Sequence, residues 1–213
     1  MTYKIESIIE LEELINNREY VDKLTINVNE DINHLLCNLT NLTYLKFEWT
    51  YNQLTDLSQL SNLQHLEFHG YYNQLTDLSL LANLTHLEFN GDYNQLTDFS
   101  LLSNLQYLEF NDNYNQLTDL SHLFNLTYLQ FGLHYNQLTD LSILLNLIYL
   151  QFGNYYNQLT DLSMLSNLTN LRFGCCYNQI TDLSNYKKLE KLDNTEIEKL
   201  DLSTYRKGIF KKS

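Results

Sequence analysis

Proline, cysteine, basic charge and long apolar runs are absent or scarce in this chain, and most of these shortages narrow its function. Its 213 residues include no proline, six glycines and three cysteines. The cysteines are Cys37, Cys175 and Cys176. An odd count fits reduced thiols in a cytosol rather than a disulfide framework. The adjacent pair reads as drift within a loop, not as a redox centre. The opening stretch, MTYKIESIIELEEL, carries four glutamates and no uninterrupted apolar core, so it does not read as a secretory leader. No segment approaches the roughly 18 consecutive apolar residues of a membrane span. Thirteen basic residues face 26 acidic ones, for a formal net charge of −13. Such a surface repels phosphate backbones and anionic membranes. The short basic tail YRKGIFKKS, from Tyr205, does not reverse that balance. No phosphate loop, nucleophile elbow or Cys/His metal spacing is present. The expectation is therefore a non-enzymatic protein without a cofactor, placed in the cytoplasm.

What the chain has in abundance is one octapeptide. YNQLTDLS starts at Tyr51, Tyr72, Tyr114, Tyr135 and Tyr156, with variants YNQLTDFS at Tyr93 and YNQITDLS at Tyr177. The interval is 21 residues throughout, without insertion. A fixed period of this size marks a solenoid, in which each repeat buries its apolar face only against its neighbours. The chain therefore reads as one elongated domain.

Within a repeat, LQHLEFHGYYNQLTDLSLLANL from Leu63 to Leu84 opens on L-x-x-L-x-F. That is the strand of a leucine-rich repeat. Alternation turns Leu66 and Phe68 inward and His65, Glu67 and His69 outward. The inward pairs recur as Leu24/Ile26, Leu45/Phe47, Leu66/Phe68, Leu87/Phe89, Leu108/Phe110, Leu129/Phe131, Leu150/Phe152 and Leu171/Phe173, with Leu192/Asn194 a degraded ninth. The fold class expected is an α/β solenoid: a concave parallel sheet of about nine strands, spanning about 40 Å, with short helical or 3₁₀ turns on the convex side. Asn52, Asn73 and Asn94 recur where a buried loop needs both donors and acceptors, so stacked copies tie each coil to the next. The aspartates at 56, 77, 98, 119, 140, 161 and 182 stand as N-caps before the convex turn. Leu78 and Leu81 fill the core from behind. The octapeptide tyrosines stack at the sheet margin. A calcium ladder is a poor reading of the aspartates, since one per repeat supplies few oxygens per ion. Five N-x-T triplets, at Asn38, Asn41, Asn83, Asn125 and Asn167, read as part of the repeat and not as glycan acceptors.

The second half of each repeat, NQLTDLSxLxNL, resembles the internalin-type bacterial leucine-rich repeat at Asn73, Gln74, Asp77, Leu81 and Asn83. It departs from that family by lacking its proline, where Gln59, Leu80, Leu101, His122, Ile143 or Met164 stands. It also lacks one L-x-x step before the strand and adds two residues after it. The first half, LxFGxxYNQ, resembles the FNIP repeats of amoebae and giant DNA viruses, at Phe131, Gly132, Tyr135, Asn136 and Gln137 and again from Phe152 to Gln158. The Asn- and Tyr-rich composition is compatible with such a genome. These resemblances span residues 21 to about 194 and imply the fold and protein binding. Internalins displayed on a surface are secreted invasion ligands. A chain without a signal peptide does not inherit that role.

The solenoid is expected over residues 21–194. Residues 1–20 are expected to form a capping helix, with Ile5, Ile8, Ile9, Leu11 and Ile15 on one stripe and Leu14 off it. They are too few for an F-box, which needs roughly 40 residues. Residues 195–213 read as a charged C-terminal cap and basic tail.

Variation among the repeats points to function. Three outward columns line the concave face. The first runs Tyr44, His65, His86, Tyr107, Tyr128, Tyr149, Asn170, Lys191. The second runs Lys46, Glu67, Glu88, Glu109, Gln130, Gln151, Arg172, Asp193. The third runs Glu48, His69, Asn90, Asn111, Gly132, Gly153, Gly174. The surface passes from acidic through aromatic to basic. Tyrosine and hydrogen-bonding groups are what recognition surfaces use. The candidate protein-binding residues are therefore Tyr44, His65, Glu67, His86, Glu88, Tyr107, Glu109, Tyr128, Gln130, Tyr149, Gln151 and Arg172. The plainer reading is that these residues only pair across the sheet, in a repeat protein without a fixed ligand. A third reading places a zinc or nickel ion on His65, His86 and Glu67, with His69 out of reach. The sequence specifies neither partner identity nor oligomeric state.

Overall fold

The computed structural model describes residues 2–48, 54–70, 75–91, 96, 98–111, 119–133, 138–154, 159, 161–174, 188–193 and 210–211. The Tyr-Asn-Gln start of each octapeptide, Asp182, Asn194, the Cys175–Cys176 pair and most of residues 195–213 lie outside them. So do the expected asparagine and tyrosine columns of the octapeptide.

The strands form one parallel sheet in chain order. After the first strand, β1 (Thr2–Ile5), come β2 (Lys23–Ile26), β3 (Tyr44–Glu48), β4 (His65–His69), β5 (His86–Phe89) and β6 (Tyr107–Phe110). Then follow β7 (Tyr128–Gln130), β8 (Tyr149–Gln151), β9 (Asn170–Arg172), β10 (Lys191–Asp193) and β11 (Phe210–Lys211). From β2 to β10 each residue pairs with the one 21 positions later, as Leu66 with Leu87 and Phe68 with Phe89. These are the nine repeat strands in the expected register. Two more extend the sheet, β1 beside β2 and β11 beside β10.

The inward residues make a continuous core. Phe47, Phe68, Phe89 and Phe110 stack with centroids 5.4–5.5 Å apart, and Phe131, Phe152 and Phe173 continue the row at 5.8 and 5.6 Å. In a single turn Leu75, Leu78, Leu81, Leu84, Leu87 and Phe89 are all buried. Phe99, which replaces leucine in the variant octapeptide, meets Phe110 edge-on.

Of the two kinds of short turn expected on the convex side, helical or 3₁₀, the coils carry the i→i+3 kind. Leu60 N donates to Leu57 O and Leu63 N to Leu60 O, and this pair of i→i+3 turns recurs from coil to coil. They stay separate turns because the backbone must bend back to the sheet after each. The aspartates accordingly act within the turn: Asp56, Asp77, Asp98, Asp119, Asp140 and Asp161 each accept the backbone N–H two residues on. This is an Asx turn in place of a helix N-cap. That hydrogen bond, from Ser100 N–H, holds the Asp98 carboxyl below its ordinary range. Among the residues at the internalin proline position, Leu80, Leu101, Ile143 and Met164 are exposed.

A ladder of asparagines, each just before the last leucine of the convex turn, ties the coils together. Asn62, Asn83, Asn104, Asn125, Asn146 and Asn167 each donate an amide N–H to the carbonyl 22 residues earlier, at 2.8–2.9 Å. Lys188 stands at the next rung and donates to Asn167 Oδ1 at 2.6 Å. Alternate coils add Thr43, Thr85, Thr127 and Thr169, whose hydroxyls donate to the carbonyl 21 residues earlier. The N-x-T triplets from Asn83, Asn125 and Asn167 thus spend both polar side chains on the preceding coil. Removing one rung, in Asn104→Ala, should cost about 1 kcal/mol. Urea melts would show this as a lower midpoint at unchanged slope, and coincident melts would contradict it.

Two helices occur among the described residues, α1 (Ile8–Asn16) and α2 (Asn33–Leu36). Ser7 caps α1 by accepting from Glu10 N, while Glu10 accepts from Glu6 N. That is a near-relative of the capping box. The expected stripe is corrected in three places. Ile5 belongs to β1, Ile9 is 62% exposed, and Leu14 is buried beside Leu11. Once Ile5 pairs with β2, the helix starts after Ser7 and turns its Leu11–Leu14 edge to the core, with Ile8 and Ile15 partly buried beside it.

Candidate functional site

The period that builds the core also sets the opposite face. A residue at i and its counterpart at i+21 sit side by side, so each outward column becomes a physical row. Side chains of one type in a row stack; complementary ones bond.

The first row is a stack of six aromatic rings. Tyr44, His65, His86, Tyr107, Tyr128 and Tyr149 lie with successive centroids 4.6, 3.8, 3.9, 4.1 and 4.3 Å apart. From His65 onward the planes are within 10° of parallel. All six are half-buried. Their polar tips reach the second row. Tyr44 donates to Glu67 Oε1 at 3.0 Å, Tyr128 to Gln130 at 2.8 Å and Tyr149 to Gln151 at 2.6 Å. Tyr107 donates to Glu109. Burial and these partners push the phenols of Tyr44 and Tyr107 above their ordinary range, and burial does the same for Tyr128.

The second and third rows are knitted together. Gln130 Nε2 donates to Glu109 Oε1 at 3.1 Å and to Asn111 Oδ1 at 2.6 Å. Asn111 donates to Asn90, and Asn90 to Glu88. Arg172 Nη1 donates to Gln151 Oε1 at 3.4 Å. At the N-terminal end Lys46 pairs with Glu67 at 3.0 Å, and Lys4 of β1 pairs with Glu48 at 3.1 Å.

Glu67 and Glu88 sit at the centre of the imidazole cluster. His65 Nε2 lies 2.6 Å from Glu67 Oε1, and His69 Nε2 lies 3.3 Å from Glu67 Oε2 and 3.7 Å from Glu88 Oε1. His86 Nε2 lies 3.8 Å from Glu88 Oε2. Burial works to raise the Glu67 carboxyl, but the donors His65, Lys46 and Tyr44 outweigh it and hold the group well below its usual range. Glu88 is lowered first by His86 beside it, against the opposing effect of burial. The donor atoms of His65, Glu67 and His86 all lie within 4.8 Å of one another, and so do those of Glu67, His69 and Glu88.

Every candidate residue from the sequence lies on this face, on strands β3 to β9. His69 is closer to the carboxylates than strand spacing alone indicated, with Nε2 within reach of both Glu67 and Glu88. Sequence reasoning did not assign Asn90 and Asn111 a role. Their position, one rung apart in the column that also holds His69, was the available signal. Lys191 lies on β10 next to Asn170, and its side chain is outside the described residues.

Solved structures similar to this chain include two internalins and a circular leucine-rich-repeat protein. The internalin InlF of Listeria monocytogenes matches at 25% identity and a TM-score of 0.52, over 89% of this chain and 71% of that one. The internalin C2 of the same organism matches at 29% identity and a TM-score of 0.51, over 75% and 74%. A circular leucine-rich-repeat protein, CroV588, matches in fold at 22% identity and a TM-score of 0.52, over 81% of this chain and 36% of that one. No protein-family model matches the chain, and no curated protein sequence matches it significantly. The fold is a leucine-rich-repeat solenoid, similar to those of internalins. No helix among the described residues is long and apolar enough to cross a membrane.

Proposed function

We propose that the chain is a non-enzymatic, cytoplasmic protein-interaction module whose concave face receives a protein partner. The observation that carries this reading is the six-ring stack, half-exposed and held at its polar edge by Glu67, Glu109, Gln130 and Gln151. Rings fixed before contact lose little freedom on binding, and tyrosine contributes large contact area per rotatable bond. The acidic N-terminal half and Arg172 give the face a direction, favouring one orientation of the partner. The strong acidic excess argues against nucleic acid.

Tyr107, Tyr128 and Tyr149 test this. Whole-protein bait in the native host's extract should retain a partner, and the triple Tyr→Ser variant should lose it while keeping its circular dichroism at ambient temperature. Retained binding would move the interface off this face.

A second reading has its own support. The phenols named above are satisfied within the chain, as a purely structural network would require. On that reading the triple variant melts earlier and no partner is captured by the parent protein.

A further inference from the structure

Three imidazoles and two carboxylates meet on β4 and β5, and their arrangement goes beyond what a partner surface requires. His65 and His86 occupy the same register position on adjacent strands. Each turns its Nε2 toward the glutamate two residues on in its own strand. The two nitrogens therefore face the same row of oxygens. Glu67 divides its oxygens, with Oε1 toward His65 and the Tyr44 hydroxyl and Oε2 toward Lys46 at 3.0 Å and His69 at 3.3 Å. A cation at Oε1 can keep the lysine pair intact.

We propose that His65, His86 and Glu67 bind one divalent transition-metal ion of the zinc or nickel class, with solvent completing its coordination. Imidazole nitrogen plus carboxylate oxygen is a donor set that suits these ions. Their bonds of about 2.0–2.1 Å require ligand nitrogens about 3.3 Å apart for a tetrahedral ion. The ring centroids stand 3.8 Å apart at 10°, so the nitrogens need little translation. They do need a tilt, because parallel rings aim their lone pairs in parallel. Side-chain exposures of 28% for His65 and 23% for His86 leave room for it. The ion takes the hydrogen-bond position between His65 Nε2 and Glu67 Oε1, and the neutral ring then carries its one proton on Nδ1. This inference is independent of the protein-binding reading.

Calorimetric titration of the untagged, chelator-treated protein with zinc tests it. One ion per chain should bind at micromolar concentration or tighter. Binding should be lost in His65→Ala and in His86→Ala, weakened in Glu67→Gln, and kept in His122→Ala. Circular dichroism of each variant establishes that a loss is not unfolding. His69→Ala should retain one ion per chain. If it instead abolishes binding, the ion sits on Glu67, His69 and Glu88 and the assignment is wrong. No heat from the parent protein, or full binding in both His65→Ala and His86→Ala, would overturn the site altogether.

Discussion

Phe89→Ala should cost about 3–5 kcal/mol, the range for deleting a buried aromatic. Phe89 is 1% exposed, lies in the middle of the row and stacks on Phe68 and Phe110 at 5.4 Å on both sides. Collapse into the gap is restricted, because the 21-residue register fixes each neighbour from two directions. The location adds a second effect. A solenoid's stability is a sum of repeat and nearest-neighbour contributions, and this substitution weakens two interfaces at the centre. Urea unfolding followed by circular dichroism should show a lower midpoint and a broader transition as the two flanks separate. A variant melting with the parent would mean that the phenylalanine row is not what couples the coils.

Gly153→Ala should cost about 3 kcal/mol, at the upper end of the range for overpacking. A Cβ at Gly153 would stand 1.6 Å from the carbonyl oxygen of Gly132 and 2.6 Å from its carbon. Both are backbone atoms, so no rotamer change relieves the contact and the coils must part. Gly174 meets Gly153 in the same way, with a Cβ 2.2 Å from its oxygen. The expected signature is a thermal midpoint lowered by several degrees, with a larger loss than in Asn104→Ala. An alanine variant as stable as its parent would show that the strand exits are not in backbone contact.

These glycines show how far the sequence could be read. Gly132, Gly153 and Gly174 appear in it as a column lacking a side chain. Whether that column is a gap for a ligand or a close approach of two backbones is a distance, and period alone does not contain it. The inward pairs were legible because every coil repeats one packing problem, so the register from Leu24 to Leu171 follows once the period is known. The ends were less so. Ile5, Ile8, Ile9, Leu11 and Ile15 satisfy a helical period, and only the Ser7–Glu10 cap marks where strand gives way to helix. The octapeptide asparagines lie outside the described residues; the rung seen is the asparagine before the last leucine of the convex turn, equally periodic, to which the sequence reading gave no ladder role. On the concave face the composition of each column was plain. The approach of His69 to Glu67 and Glu88 depends on side-chain rotamers, on which the repeat pattern is silent.

The two ring rows on either side of the sheet do not keep the same spacing. Centroids on the outer row are mostly 3.8–4.3 Å apart, while those of the phenylalanine row are 5.4–5.8 Å apart. The strand spacing of about 4.8 Å falls between them, as it must if the sheet bends toward its tyrosines. With the rows roughly 10 Å apart, the difference amounts to roughly 8° per coil and a radius of curvature of roughly 35 Å. An arc of that radius is filled by a rounded body the size of a globular domain, whereas a straight rod laid along it touches only at the two ends.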